Sequence, residues 1–203
     1  MATRDRIISE AMRLFAERGY RGTSVADLEE AAGLSPGSGS LYTHFRTKED
    51  VLAAAVEQTA LLADTGYAAF DLLPLGDLRA ELTLIARGSL LVMDTCADLI
   101  RVIEKESDEF PGILAEARAR IFDRAYSWFS EMLRAKAKDG EIAEVDFEAV
   151  GAIWLGALKD YWGAKAILGD PPAGLDDDRF LATWVDTLIT VLKGADQRRR
   201  VRR

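Results

Sequence analysis

The apolar residues of this 203-residue chain recur at helical spacing from one end to the other. Ile7, Ile8, Ala11, Leu14 and Phe15 fall on one face of a helix, and later segments repeat the pattern. No segment alternates apolar and polar residues over the length that a half-buried strand needs. The spacing therefore predicts an all-α fold of about nine helices, the first three short and the later ones longer.

Three residues with side-chain oxygens predict where helices begin. Ser24, Thr47 and Asp146 each precede an apolar-periodic segment and can accept a hydrogen bond from a backbone N–H of the first turn. They predict helix starts near residues 25, 48 and 147. A single long helix is predicted over residues 113–138, and a final one over 177–193.

The charge is unevenly distributed along the chain, whose net charge is −8. Residues 1–50 carry 7 basic and 8 acidic side chains, whereas residues 51–197 carry 14 and 26. An acidic body repels polyanions, and a nearly neutral head does not. We therefore expect a head domain at 1–46, a body at 47–197 and a basic tail at 198–203 that holds five arginines.

Several classes of protein are excluded by what the composition lacks. One cysteine and one histidine cannot build a disulfide framework or a zinc site, and a catalytic triad would have to use His44. The three aspartates at 176–178 are better placed to cap the final helix than to bind a metal. No signal peptide, membrane span or phosphate-binding loop is recognisable. We expect a cytoplasmic protein that is not an enzyme and has no metal or cofactor.

Two short helices, predicted at 24–32 and 36–45, are joined by a turn that contains glycine and follow a first helix. This is the helix-turn-helix arrangement, in which the second helix reads DNA. Ser38, Ser40 and Thr43 are small polar residues suited to base edges, and Leu41 and Phe45 supply an apolar back.

The stretch from Arg4 to Leu52 resembles the DNA-binding domain of the TetR (tetracycline-repressor-like) family of transcriptional regulators. The resemblance rests on motifs in a fixed order: Ala11-x-x-Leu14-Phe15, Gly19-Tyr20-x-Gly22-Thr23-Ser24-Val25, Leu28, Ala31-Ala32-Gly33-Leu34-Ser35, Leu41-Tyr42-x-His44-Phe45 and Lys48-Glu49-x-Val51-Leu52. It implies a ligand-responsive repressor that binds a palindromic operator in double-stranded DNA as a homodimer.

The resemblance also implies roles for individual residues of the head. Thr23, Tyr42, His44 and Lys48 would bind phosphates, and Ser38, Gly39, Ser40 and Thr43 would lie nearest the bases. One departure affects the second group. Leu41 stands eight residues after Gly33, where the family commonly has six. Either Ser35 or Ser38 could then cap the reading helix.

The last two long helices are apolar on more than one side, which predicts two packing partners for each. One partner is the core of the body, and the resemblance implies that the other is a second subunit. The predicted dimer interface consists of Ala152, Gly156, Lys159, Gly163, Leu181, Trp184 and Leu188.

The resemblance further implies a ligand pocket in the body. Its predicted lining is Leu90, Met93, Phe122, Tyr126, Phe129, Trp154, Leu158 and Tyr161. Such an apolar and aromatic lining suits a small apolar or aromatic effector. Two alternatives stay open at this point: a helical small-molecule carrier or enzyme that uses the body pocket, and a protein–protein adaptor that uses the head surface.

Overall fold

The computed structural model describes residues 2–200, and it describes the side chains of residues 2–68, 70 and 72–194. Every regular element in that range is helical, which confirms the all-α prediction. The predicted basic tail at 198–203 lies outside the residues whose side chains are described. The helices are α1 (Thr3–Arg18), α2 (Val25–Ala31), α3 (Lys48–Tyr67), α4 (Leu78–Thr95), α5 (Ala97–Glu106), α6 (Pro111–Arg118), α7 (Arg124–Lys138), α8 (Phe147–Ala166) and α9 (Asp177–Arg200).

The predicted capping residues begin three of these helices. Ser24 Oγ accepts the N–H of Asp27 at 3.1 Å, and the Asp27 carboxylate accepts the N–H of Ser24 at 2.7 Å. Thr47 and Asp50 make the same reciprocal pair at the start of α3, with both distances 3.0 Å. Asp146 caps α8 through one carboxylate oxygen. These caps satisfy N–H groups that have no partner inside the helix, so their positions are readable from the sequence.

The helix predicted over 113–138 is confirmed as one continuous helical stretch over residues 111–138, with a π-helical turn at Ala119–Asp123 between α6 and α7. The wider turn carries Arg120, whose guanidinium pairs with Glu57 at 2.8 Å and with Asp64 at 2.5 Å, both on α3. A single π-helical turn inside an α-helix cannot be recognised from the spacing of apolar residues in the sequence.

The chain forms two compact units, and the first comprises Met1–Asp64 and Thr95–Ile121. Its core contains Phe15, Leu28, Leu41 and Leu52, all fully buried. α5 packs against α1, and Lys105 Nζ on α5 donates to the Ala16 carbonyl at 2.6 Å. The helices that follow the head in sequence therefore help to form the unit that contains it.

The second unit comprises Thr65–Asp94 and Phe122–Arg203, and α7 packs along α8 within it. Two buried indole N–H groups have acceptors: Trp162 Nε1 donates to Asp94 at 2.7 Å, and Trp184 Nε1 donates to the Trp154 carbonyl at 2.8 Å. Such bonds allow tryptophans to fill a core without an unsatisfied donor.

The two units differ in extent from the predicted division at residue 46. The first unit extends to Asp64 and also includes residues 95–121. The predicted division concerns which residues bind DNA and which bind an effector, and that assignment stays a prediction. Within the described residues, no helix combines the length and the apolar character that a bilayer span requires.

A buried ion pair joins α4 to α7 in the second unit. Glu81 is fully buried and Lys136 is 5% exposed, and Lys136 Nζ lies 2.6 Å from Glu81 Oε2. Burial alone would raise the pKa of Glu81, but Lys136 and the N–H groups of Leu75 and Gly76 outweigh it, so this pKa is lowered. Ionised Glu81 thus stabilises the fold above its ordinary pKa, and this contribution is lost as the pH falls through the lower folded pKa.

Lys136→Met should lower the free energy of unfolding by about 3 kcal/mol, because it leaves the Glu81 charge buried without its cation. Urea unfolding at neutral pH measures the loss, which should shrink in acid as Glu81 becomes protonated. Lys138→Met is the matched control, since Lys138 is exposed one half-turn away. Equal stability of the two variants would contradict this prediction.

Candidate nucleic-acid interface

The DNA-reading element predicted as a helix over 36–45 is instead a single 3₁₀ turn at Ser40–Thr43. Gly33, Gly37 and Gly39 before it have φ between 72° and 74°. These left-handed conformations are incompatible with the interior of a right-handed helix and are readily adopted by glycine. The residues between Gly33 and Leu41 therefore form a connection that is not helical, and the turn begins only at Ser40.

The turn is anchored by its apolar back, as the sequence predicts. Leu41 is fully buried and Phe45 is 6% exposed. The Arg4 guanidinium lies 5.0 Å from the centre of the Phe45 ring, a cation–π contact from the start of α1. The backbone N–H of Leu41 donates to Glu29 Oε1 on α2 at 3.0 Å. The sequence does not identify Glu29 as part of this anchor, because nothing in the pattern of residues distinguishes buried Glu29 from its exposed neighbour Glu30.

The residues of the turn form the most exposed part of the predicted DNA surface. Ser38, Tyr42, Thr43 and His44 are exposed, with Tyr42 at 55%, and Gly39 and Ser40 are half-buried. The hydroxyl groups of Ser38 and Ser40 lie 2.6 Å apart, and Thr43 Oγ1 donates to the Ser40 carbonyl at 2.7 Å. The polar groups are thus ordered by contacts within the turn while they face outward.

The side chains of Thr23 and Lys48 make hydrogen bonds within the first unit. Thr23 is fully buried, and its hydroxyl donates to the carbonyls of Gly19 at 2.9 Å and Leu14 at 3.3 Å. Lys48 Nζ donates to the carbonyls of Tyr20 at 2.6 Å and Thr23 at 2.8 Å. Because these groups are used inside the unit, both residues support the loop between α1 and α2, which corrects the expectation of a free phosphate-binding surface at Thr23.

The loop between α1 and α2 is also held by the end of α5. Glu106 Oε1 accepts the N–H of Tyr20 at 2.9 Å, and the Glu109 carboxylate pairs with Arg21 at 3.0 Å. Lys48 Nζ stands 3.9 Å from the centre of the Tyr20 ring. Burial lowers the pKa of Lys48, and the nearby charges of Glu109 and Glu106 oppose that effect. The ammonium remains the charged link between α3 and this loop.

Arginines add positive charge next to the turn. Arg46 is exposed and follows Phe45 directly, and Arg4 and Arg6 are exposed on the first turns of α1. The residue set predicted from the family motif omits Arg46, although the sequence places this cation two residues after His44. The surface formed by residues 38–46 therefore combines hydroxyl groups, an imidazole and a guanidinium.

Most residues predicted to line the ligand pocket lie away from an aromatic cavity of the second unit, and the predicted lining stays a prediction. Leu90, Met93, Phe129, Leu158 and Tyr161 are buried in the core of this unit, and Phe122, Tyr126 and Trp154 are half-buried. The aromatic cavity has a volume of about 20 Å³, room for one water molecule. Its lining is Tyr67, Phe70, Ile85, Ser89, Arg124, Ala125, Trp128, Phe129 and Leu155, which shares Phe129 alone with the prediction.

The difference from the predicted lining has a geometric cause. Successive residues of a helix point about 100° apart, so on α8 Leu155 lines the cavity and its neighbour Trp154 does not, and on α7 Trp128 lines it and Tyr126, two residues earlier, does not. Phe70, which stacks on Trp128 with ring centres 5.2 Å apart, lies in a turn that apolar periodicity does not reveal. A Cβ on Gly88 would come 2.7 Å from the Phe70 ring, so a glycine is needed there.

The predicted dimer residues divide into two groups. Ala152 and Lys159 are exposed and Gly156 and Gly163 half-buried on α8, whereas Leu181, Trp184 and Leu188 on α9 are buried at 3%, 4% and 0%. Leu181 and Leu188 face the core of their own unit and are corrected from interface surface to core. Trp184 is nearly buried as well, but it also lines the groove on the outward sides of α8 and α9.

An open groove of about 480 Å³ runs between the outward sides of α8 and α9. Its lining is Ile153, Trp154, Ala157, Leu175, Arg179, Phe180, Thr183, Trp184 and Thr187. Ile153 is 62% exposed, an unusual state for isoleucine in the middle of a helix. Among the described residues, no group of three His, Cys, Asp or Glu side chains could hold a metal ion.

Comparison with known proteins gives a consistent result. The family model for bacterial regulatory proteins of the tetR family matches residues 7–55. The HTH-type transcriptional repressor KstR2 of Rhodococcus jostii is 30% identical over 151 residues, which are 71% of this chain and 71% of that protein. The probable HTH-type transcriptional regulator ArpR of Pseudomonas putida is 28% identical over 200 residues, 94% of this chain and 91% of that protein.

A solved structure agrees over nearly the whole chain. The crystal structure of PfmR from Thermus thermophilus, a TetR family transcriptional regulator, superposes with a TM-score of 0.65 at 26% sequence identity. The match covers 93% of this chain and 97% of that one. The similarity therefore extends beyond the head to the helices that follow it.

Proposed function

The chain belongs to the TetR family of bacterial transcriptional regulators, and we propose that it is a cytoplasmic homodimeric repressor that a small effector releases from an inverted-repeat operator. The observation that carries the proposal is the turn at residues 38–44. It exposes Ser38, Tyr42, Thr43 and His44 while buried Leu41 anchors it from behind. Exposed polar groups on a rigid apolar anchor are what recognition of base edges requires.

The residues of this surface take different roles in the proposal. Ser38, Ser40 and Thr43 contact base edges, and Gly39 lets the backbone approach the groove. Tyr42, His44 and the exposed Arg46 contact phosphates, which fixes the register of the protein on the duplex.

Thr23 and Lys48 contribute in a second way. Two of the three ammonium donors of Lys48 bind carbonyls, so at most one is left for a phosphate. Thr23 supports the loop through its buried hydroxyl.

The groove between α8 and α9 supports the homodimer. Its lining is mostly apolar and includes exposed Ile153. The predicted interface residues Ala152, Gly156, Lys159 and Gly163 lie on the same helix, α8. Small residues let two helices approach closely, and a second copy would bury Ile153. A twofold dimer would place two heads on half-sites one helical turn of DNA apart.

The aromatic cavity of the second unit is the proposed effector site. Tyr67, Phe70, Trp128 and Phe129 favour a flat apolar or aromatic molecule, and Ser89 and Arg124 supply polar groups at the lining. Because the cavity holds one water at most, an effector has to open it. An effector that binds the opened cavity has a higher affinity for the open conformation than for the closed one. This difference in affinity is what lets a ligand shift the equilibrium between two conformations.

Helix α3 is the proposed route of coupling. It begins at Lys48, which holds the loop between α1 and α2, and it ends at Tyr67, which lines the cavity. A shift of Tyr67 along or about this helix would displace Lys48 and the loop. The relatives are transcriptional regulators rather than enzymes, and a cavity of one water favours neither a carrier nor a catalyst.

Selection from a random duplex library at fixed, near-physiological salt should enrich one inverted repeat with half-sites about 34–36 Å apart. Thr43→Ala should broaden the base preference at one position of each half-site, and His44→Ala should weaken binding to all duplexes similarly. Thr83→Ala, which removes a helical threonine hydroxyl in the second unit, is the matched control. Failure of a folded wild-type dimer to enrich any sequence would contradict the proposed function.

Ile153→Glu should convert the dimer into a monomer, because it puts two charges into the proposed interface. Sedimentation at micromolar concentration measures the mass, and operator affinity should fall with it. Leu91→Glu is the control, since Leu91 is 67% exposed on α4. A dimeric Ile153→Glu protein would place the interface elsewhere.

Trp128→Ala should open the effector cavity, and added indole should then fill it and raise the melting temperature of the variant more than that of wild type. Indole should also change the affinity of Trp128→Ala for the operator. Trp162→Ala removes a buried indole elsewhere in the same unit and should show no such change. If indole binds Trp128→Ala without altering operator affinity, the cavity is not coupled to DNA binding.

A further inference from the structure

The first unit contains a buried acidic side chain that its position in the sequence does not foretell. Glu29 on α2 is fully buried, whereas its neighbour Glu30 is exposed. Glu29 Oε2 is buried without a hydrogen-bond partner among the described residues. A buried carboxylate with a free oxygen is unfavourable for stability, so this residue calls for an explanation in terms of what it contacts.

Glu29 contacts both ends of the connection that precedes the reading turn. Its backbone carbonyl accepts the N–H of Leu34 at 2.8 Å. Its carboxylate accepts the N–H of Leu41 at 3.0 Å, through Oε1. One residue of α2 therefore determines where the connection leaves the helix and where the turn begins.

The connection between α2 and the turn, residues 33–39, contributes little to holding Leu41 in place. Gly33, Gly37 and Gly39 adopt left-handed conformations, and a Cβ added at Gly33 or Gly37 would meet no atom within 4 Å. The hydrogen bonds inside it are local, from the N–H of Ser38 to the Ser35 carbonyl and from the N–H of Ser40 to Ser38 Oγ. Such bonds shape the segment but do not tie it to the rest of the unit.

We propose that Glu29 is a positioning residue for operator recognition: its carboxylate sets the place of Leu41, and thereby the places of Ser40, Tyr42 and Thr43 against the bases. Leu41 follows Ser40 and precedes Tyr42 directly, so a displaced Leu41 backbone displaces both. The inference rests on the proposed DNA-binding function. Glu29 lies behind the turn, and its contribution to specificity passes through the Leu41 N–H.

The experiment compares Glu29→Ala with Glu29→Gln, Glu29→Asp and the control Glu30→Ala. Glutamine keeps an acceptor at the same reach, aspartate keeps the charge but is one methylene too short, and alanine lacks both. Amide hydrogen exchange of Leu41 is measured in the free protein. Affinities for the selected operator and for a scrambled duplex of equal composition are measured at one salt concentration.

Glu29→Ala and Glu29→Asp should each speed Leu41 exchange and weaken operator binding about tenfold, the effect of leaving one buried donor unsatisfied. Binding to the scrambled duplex should change less than about threefold, and the salt dependence should stay the same, because no phosphate contact is removed. Glu29→Gln should stay close to wild type in both measurements, and so should Glu30→Ala.

Other outcomes overturn the inference. Equal losses on operator and scrambled duplex would mean that Glu29 merely stabilises the unit. Tighter binding of both duplexes by Glu29→Ala and Glu29→Gln would mean that its charge acts by repelling DNA. If Glu29→Ala does not fold, the contrast between Glu29→Asp and Glu29→Gln decides. If wild type enriches no sequence, the proposed function has failed, whereas a wild type that binds beside an equally specific Glu29→Ala refutes this inference alone.

Discussion

Burial of Leu41 and Phe45 is the interaction on which the proposed DNA-binding surface depends. The segment from Gly33 to Gly39 contains three left-handed glycines, so no helix can propagate into the turn from α2. Four residues of 3₁₀ helix are also too few to be stable alone. The turn is held because two apolar side chains dock into the first unit and because Glu29 receives the Leu41 N–H. Exposure of Tyr42, Thr43 and His44 is a consequence of that docking.

A second set of polar contacts makes the head part of a larger unit. Lys48 holds the carbonyls of Tyr20 and Thr23, and Glu106 holds the N–H of Tyr20. α1, α2 and α3 are thus tied to a loop that α5 also contacts. These contacts explain why residues 95–121 belong to the first compact unit, although residues 65–94, which precede them in the sequence, belong to the second. It also assigns Thr23 and Lys48 a supporting role that the family motif alone does not reveal.

Features that depend on contacts between residues close in the sequence agree with the predictions better than features that depend on packing between distant segments. Ser24, Thr47 and Asp146 cap their helices as predicted, because a cap is a contact between residues three positions apart. The aromatic cavity has a different lining from the predicted pocket, because each residue along a helix rotates the side chain by about 100° and the pattern of apolar residues does not fix which of them faces a cavity. Trp128 and Phe70 face the cavity through packing among distant segments, and no periodicity of either segment encodes that choice.

The sequence by itself determined the all-α class, the helix starts that carry capping residues, and membership of the TetR family through motifs in order. These features depend on local chemistry and on the sequence of residues along the chain. The tertiary structure decided which polar groups remain exposed. Thr23 and Glu29 are buried, Leu181 and Leu188 face the core, and Ile153 is exposed at the surface. Burial is settled by the packing of the whole unit, because a side chain is covered or exposed only in relation to distant segments.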